Sequence, residues 1–166
     1  MMKRSKHNLI QSIHFALQGI VYALRRERNL RIHLSVAGWV IYFSRYYAFS
    51  AEQTALLFLV IGLVITCELF NTAIEKTVDL EKPAYNPLAK VAKDVAAGAV
   101  LVSSITSVAV GILLFGDPAV IAVIWAEILS RLAAFGFAAA LSVFWILGFP
   151  AAKNKNNKKA KDNSAL

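Results

Sequence analysis

Apolar positions in this chain follow two different rhythms. From about His7 to Arg26, Leu9, Ile10, Ile13, Leu17, Ile20, Val21 and Leu24 recur at steps of three and four, with Asn8, Gln11, Gln18 and Arg25 between them. That spacing predicts an amphipathic helix lying on a membrane surface, one face in the acyl boundary and the other in water. Beyond it the alternation stops and long apolar runs begin. They predict four membrane spans: Ile32 to Ala48, Thr54 to Ile74, Val95 to Phe115, and a fourth within Pro118 to Phe149. Glu127 and Arg131 divide that last stretch, which is longer than one span requires. It reads as a short interfacial helix up to Glu127, an ion pair to Arg131 at helical spacing, and a span over Leu132 to Phe149. The tail AAKNKNNKKAKDNSAL is polar and lysine-rich, the composition of a disordered segment.

Composition sharpens this picture. Of the 166 residues 58% are hydrophobic, above the roughly 45–50% of soluble domains, which places the chain in the membrane class as an all-α polytopic bundle. The net charge of +8 could suit nucleic acid, but a soluble nucleic-acid binder would not carry several runs of spanning length. The charge instead reports topology. Lys3, Arg4, Lys6, Arg25, Arg26, Arg28 and Arg31 precede the first span, and Lys76, Lys82, Lys90 and Lys93 lie between the second and third. Both regions are expected to be cytoplasmic. Four spans bring the lysines of the tail, Lys153 to Lys161, back to that side, so both termini are expected there; three spans would strand them outside. Arg45 and Arg131 fall on the far side. Tyr42, Tyr46, Tyr47 and Trp145 suit interfacial aromatic belts or ordinary packing, and both readings stay open. MMKRSK has the charge of a signal peptide, but no small-residue cleavage site follows, so no cleavage is expected. The single Cys67 excludes an intrachain disulfide and a cysteine-based zinc site.

The chemistry concentrates in CELFNTAIEKTVD, Cys67 to Asp79. On a helix at about 100° per residue, Glu68, Asn71, Glu75 and Asp79 fall within an arc of roughly 80°. If the span enters near Thr54, a rise of about 1.5 Å per residue puts Glu68 some 21 Å along a core of roughly 30 Å. Glu75 comes about 10 Å further on, at the boundary where headgroups, ions and water are available. An intramembrane carboxylate costs at least ~2.5 kcal/mol to insert, so a stripe of them is a functional hypothesis by default. A desolvated Glu68 suits proton exchange, and an exposed Glu75 suits a hard divalent cation that takes oxygen ligands. Glu27 closes the amphipathic helix on the same side, and Lys93-Asp94 opens the third span there. Lysine beside carboxylates and a metal is what a polyphosphate needs. Ala96, Ala97 and Gly98 would let backbones approach closely.

Plainer readings stand beside these. Carboxylates at a helix end can do no more than solvate it, which stays open for Asp79 and Glu81 taken alone; Glu68 is too deep for that. His7, His14 and His33 are too scattered for a ligand set, and Ser103, Ser104 and Ser107 read as packing. There is no Gly-x-x-x-x-Gly-Lys-Ser/Thr loop and no Gly-x-Gly-x-x-Gly fingerprint, so a nucleotide would need an unusual scaffold.

Three segments in order, ERNLRIH (Glu27 to His33), ELFNTAIEKTVD (Glu68 to Asp79) and NPLAKVAKDVAAGAV (Asn86 to Val100), resemble the small bacterial membrane kinases that phosphorylate diacylglycerol or undecaprenol. The wording is nearer the undecaprenol branch, and the resemblance covers roughly Ile13 to Gly116. It implies a homotrimer in the inner membrane with composite sites between subunits, a lipid alcohol as acceptor, and ATP with Mg2+ as donor. Carried over by motif, Glu68 corresponds to the general base, and Glu27 and Glu75 to the magnesium carboxylates that also contact ATP. Lys93 and Asp94 correspond to the nucleotide-contacting pair, with Ala84, Tyr85 and Asn86 in the loop that touches nucleotide. Arg31, Asn71 and Asp79 correspond to substrate or orienting positions. The resemblance divides the chain into a kinase core over residues 1–116, an extension over 117–150 and a cytoplasmic tail over 151–166. Asn86 before Pro87 departs slightly from the family wording, and the extension departs more.

Two rivals belong to other classes. A small proton-coupled transporter also needs spans and one buried glutamate, but would place the acid near midplane, open to both sides. A scaffold whose stripe only joins subunits predicts that Glu68→Gln changes no activity.

Overall fold

The computed structural model describes residues 8–81 and 86–148. These form six helices and no strand: α1 (Leu9–Arg26), α2 (Arg28–Ser44), α3 (Ala51–Glu81), α4 (Pro87–Phe115), α5 (Pro118–Ser130) and α6 (Leu132–Leu147). The lysine-rich tail and the loop positions Ala84 and Tyr85 lie outside the described residues.

The amphipathic stretch forms α1, whose start is closed by Gln11 accepting from the Asn8 backbone at 3.2 Å. Its apolar face, including Leu9, Ile10 and Ile13, is exposed rather than packed on the bundle, as a helix bedded in a bilayer surface would leave it. A single residue, Glu27, joins α1 to α2. Its extended backbone (φ −101°, ψ 114°) interrupts the helical run, and its N–H still donates to Ala23 O at 2.8 Å.

The α3–α4 hairpin is the backbone of the molecule. Both helices are long and apolar enough to cross a membrane, 30 residues over Ala51–Leu80 and 29 over Pro87–Phe115. At 1.5 Å per residue each is about 44 Å, well beyond a hydrocarbon core of roughly 30 Å. The surplus is why α4 begins eight residues before the Val95 expected as the start of its span, and why α3 continues past Ile74. The extra turns carry the polar residues. Small Ala96 and Ser103 on α4 are buried and let it approach α3, where the Ser107 hydroxyl donates to Val60 O at 3.3 Å. Outward faces stay bare, with Leu59 and Val95 both 68% exposed. Burying one large apolar side chain stabilises by about 1.5–3 kcal/mol, so such faces belong against acyl chains or other subunits, not water.

The other two expected spans are short. α2 has 17 residues and α6 has 16, near the lower limit of the ~17–25 that cross a bilayer. Among the described residues two helices qualify alone, and a third span exists only if α5 and α6 are taken as one span bent by 93°. The bend falls at Arg131 (φ −122°, ψ 36°), whose Nε pairs with Glu127 Oε1 at 2.9 Å. The expected ion pair thus sits at the turn between a short helix and the last one. α6 runs antiparallel to α2: Phe135 stacks on Phe43, Ser142 Oγ accepts from the Trp39 indole at 3.2 Å, and Ile146 O accepts from Arg31 at 3.1 Å. The end of α6 therefore returns to the end of the bundle where α2 begins. At the opposite end the Tyr47 hydroxyl donates to Phe115 O at 2.9 Å, and Tyr47, Phe49 and Phe115 pack ring on ring.

Candidate active site

The polar stripe of α3 is real and graded. Glu68, only 2% exposed, and Asn71 and Thr72 are buried, Glu75 is half-buried, and Asp79 is exposed. One face of one helix thus runs from desolvated to wet in three turns. The buried part is only partly satisfied: Asn71 Nδ2 donates to Glu75 Oε1 at 3.1 Å, and the Thr72 hydroxyl donates to Glu68 O at 3.0 Å. Glu68 Oε2 and Asn71 Oδ1 are buried without a hydrogen-bond partner among the described residues. An acceptor left so is unfavourable by about 1–3 kcal/mol, more for a charged group. Two neighbouring orphans of this kind point to a donor that arrives from outside the chain.

Glu27 comes to this stripe across the fold. Its carboxylate meets Lys76 Nζ at 3.2 Å, and both Glu27 and Glu75 lie within electrostatic reach of Glu68 and of Lys76. Glu27 and Glu75, for which the family resemblance implies a magnesium role, therefore share one neighbourhood, with a lysine partly balancing them. No group of three His, Cys, Asp or Glu side chains gathers as a self-sufficient metal cage among the described residues. A magnesium ion on a nucleotide uses one or two carboxylates plus phosphate and water oxygens, so Glu27 and Glu75 with the unsatisfied Asn71 oxygen suit that ion.

The remaining predicted residues are distributed around this centre. Lys93 Nζ meets Asp79 Oδ1 at 2.5 Å, tying the first turns of α4 to the last of α3. Asp94 is exposed beside it. Asn86 caps α4, its Oδ1 accepting from Leu88 N at 2.9 Å with Pro87 in the first turn. Arg31 is buried next to the α1–α2 joint, where it holds backbone carbonyls of Leu24 and Ile146. Ala84 and Tyr85 lie outside the described residues. Lys76 joins this neighbourhood through a residue 49 positions earlier, and nothing in its local sequence signals that partner.

Comparison with known proteins settles the class. The family model of the prokaryotic diacylglycerol kinases matches residues 14–115, more than half of the chain. The chain belongs to the prokaryotic diacylglycerol kinase family. It is 40% identical over 109 residues to an undecaprenol kinase of Bacillus subtilis, covering 66% of this chain and 89% of that protein. It is 44% identical over 105 residues to a diacylglycerol kinase of Synechocystis, covering 63% of this chain and 60% of that one, and 33% identical over 97 residues to a diacylglycerol kinase of Helicobacter pylori, covering 58% and 76%. No solved structure matches. As a member of the diacylglycerol kinase family the protein is a membrane lipid kinase, a phosphotransferase that uses a nucleotide donor and a lipid acceptor. That membership sets aside the transporter and the scaffold.

Proposed function

We propose that this kinase phosphorylates undecaprenol, with diacylglycerol as the alternative acceptor, using MgATP at the inner-membrane boundary. Glu68 takes the proton from the lipid hydroxyl, and the freed oxygen attacks the γ-phosphorus of ATP, whose bond to the β,γ-bridging oxygen breaks to release ADP. The observation that carries this is the Glu68 carboxylate, buried with Oε2 free of any protein partner among the described residues: that oxygen is available to accept from a hydroxyl. Glu27 and Glu75 would hold magnesium, which neutralises charge on the transferring phosphoryl group. Asn71 orients Glu75 through its amide. Lys93 and Asp94, with Ala84, Tyr85 and Asn86, contact the nucleotide, and Asp79 holds Lys93 toward it. The acceptor preference follows the name of the Bacillus subtilis relative and the ERN-x-x-x-H wording.

The same reading makes the enzyme a homotrimer with both termini cytoplasmic, a kinase core over residues 1–116, an extension over 117–150 and a tail over 151–166. The wide apolar faces of α3 and α4 and the shortness of α2 and α6 support assembly with other copies. The deciding experiment is phosphotransfer by purified protein with MgATP and the two lipids side by side, repeated with Glu68→Gln and Glu75→Gln. Undecaprenol is expected to be turned over faster, both variants to lose turnover, and only Glu75→Gln to alter the metal dependence. Full turnover by Glu68→Gln would remove it as the base.

A further inference from the structure

α5 and α6 lie past the residues that match the family, yet α6 reaches the α1–α2 joint at one point. Arg31 is 4% exposed, and its guanidinium serves two helix ends at once: one terminal nitrogen donates to Leu24 O at 3.0 Å, and Nε donates to Ile146 O at 3.1 Å. Leu24 is in the last turn of α1 and Ile146 in the last turn of α6. The final carbonyls of a helix have no partner within it and carry the negative end of its dipole. A planar, permanently charged fork can answer two such ends in fixed directions, which a lysine cannot. The bond from Arg31 to Leu24 spans the α1–α2 joint, and Glu27 is the one residue inside that joint. Whatever fixes the bond therefore braces the backbone from which the Glu27 side chain reaches Lys76 at 3.2 Å. Along the seam, the Trp39 indole on Ser142 and the stacking of Phe43 on Phe135 bring Ile146 to Arg31 in register.

We infer that Arg31 is a positioning residue for Glu27 and that α6 is the strut it works against, so that the appended helix sets the geometry of the metal carboxylate. This rests on the role proposed above for Glu27. The strut acts on metal and nucleotide, not on the lipid, because the joint it braces carries Glu27 and not Glu68.

The test uses the full-length protein and Mn2+ as a paramagnetic probe, with its binding measured directly beside kcat and the KM values for MgATP and for lipid. Three changes address the strut: Arg31→Lys, deletion of Ala139, which turns the rest of α6 by about 100°, and the milder pair Trp39→Phe with Ser142→Ala. Arg31→Lys and the deletion are each expected to weaken Mn2+ binding and raise the KM for MgATP by about tenfold, the low end for losing a group that orients a metal ligand. The lipid KM should stay unchanged. Combining the two should do no more harm than the worse of them, since both remove one brace. The milder pair should move the same quantities less, and it serves if the deletion does not fold. Unchanged Mn2+ binding in the folded α6 variants, multiplied effects in the combination, or a rise in lipid KM alone would each overturn the strut. Glu27→Gln separates the two levels of the argument. Unchanged Mn2+ binding there removes the metal assignment and the strut with it; weakened binding there beside unchanged binding in the α6 variants removes the strut only.

Discussion

Both ends of this bundle set charge at the rim of an apolar rod, in opposite ways. At the far end Arg45 lies over the Tyr42 ring, 3.8 Å from its centroid, and Arg131, 67% exposed, pairs with Glu127 one helical turn away. Each of these charges has a counterpart and a route to water. At the near end the acids climb inward along one face of α3, from exposed Asp79 to Glu68, which ends with an unpartnered oxygen in the apolar interior. A charge at a membrane rim is ordinary while it can reach solvent and a partner. Where the helix carries it past both, burial is unfavourable, and the reading proposed for Glu68 has a bound hydroxyl relieve it.

The largest effect should follow from the same substitution made at the two ends. Glu68→Gln keeps the shape of the side chain and removes its basicity, so turnover should fall by roughly 10²–10⁴-fold, the range for a lost general base. Glu127→Gln leaves an exposed arginine without its partner, and surface changes of that kind stay within about twofold. Equal losses in a phosphotransfer assay would erase the distinction between the two ends.

A smaller effect sharpens the near end. Lys76 holds Glu27 at 3.2 Å while itself 42% exposed, and such pairs contribute about 0–1 kcal/mol. If Glu27 is a metal ligand, Lys76 competes with the cation for its oxygen. Lys76→Met should then lower the Mg2+ concentration needed for half-maximal rate, by at most about fivefold given that small coupling, with little change in thermal stability. A higher Mg2+ requirement would mean that Lys76 helps the cation and its phosphates rather than excluding them.

How much of this was legible in sequence depends on how far each feature reaches along the chain. The stripe on α3 needs only a helical period, and the pair of Glu127 with Arg131 needs only four-residue spacing, so both are visible in the letters. The Asn86 cap sits two residues from the amide it binds and is local in the same way, yet it is not part of the sequence reading, where the family resemblance implies nucleotide contact there. The pairing of Glu27 with Lys76 crosses 49 positions, and Arg31 to Ile146 crosses 115; no local pattern encodes either. The helix lengths lie between these cases. Hydropathy marks where apolar residues stop, whereas α4 continues to Pro87 and α3 to Glu81 because backbone hydrogen bonds persist in water when a neighbouring helix supports them. α2 is short for a local reason: Glu27 breaks it at one end and the turn at Arg45 and Tyr46 closes it at the other.

The smallest effect on turnover tests whether the far end is independent of the near one. Tyr47→Phe removes the hydroxyl that donates to Phe115 O and keeps the ring that meets Phe115 at 4.9 Å and Phe49 at 5.3 Å. Losing one such hydrogen bond should lower stability by about 0.5–1.5 kcal/mol, read as a drop in thermal midpoint in detergent. The bond joins the turn after α2 to the last residue of α4, both at the end opposite Glu68, so the rate below the unfolding range should not change. A rate that fell in step with stability would mean that α2 and α4 transmit strain along their length to the acids. The two ends would then be one mechanical unit, and the far end would belong to the active site as much as the stripe does.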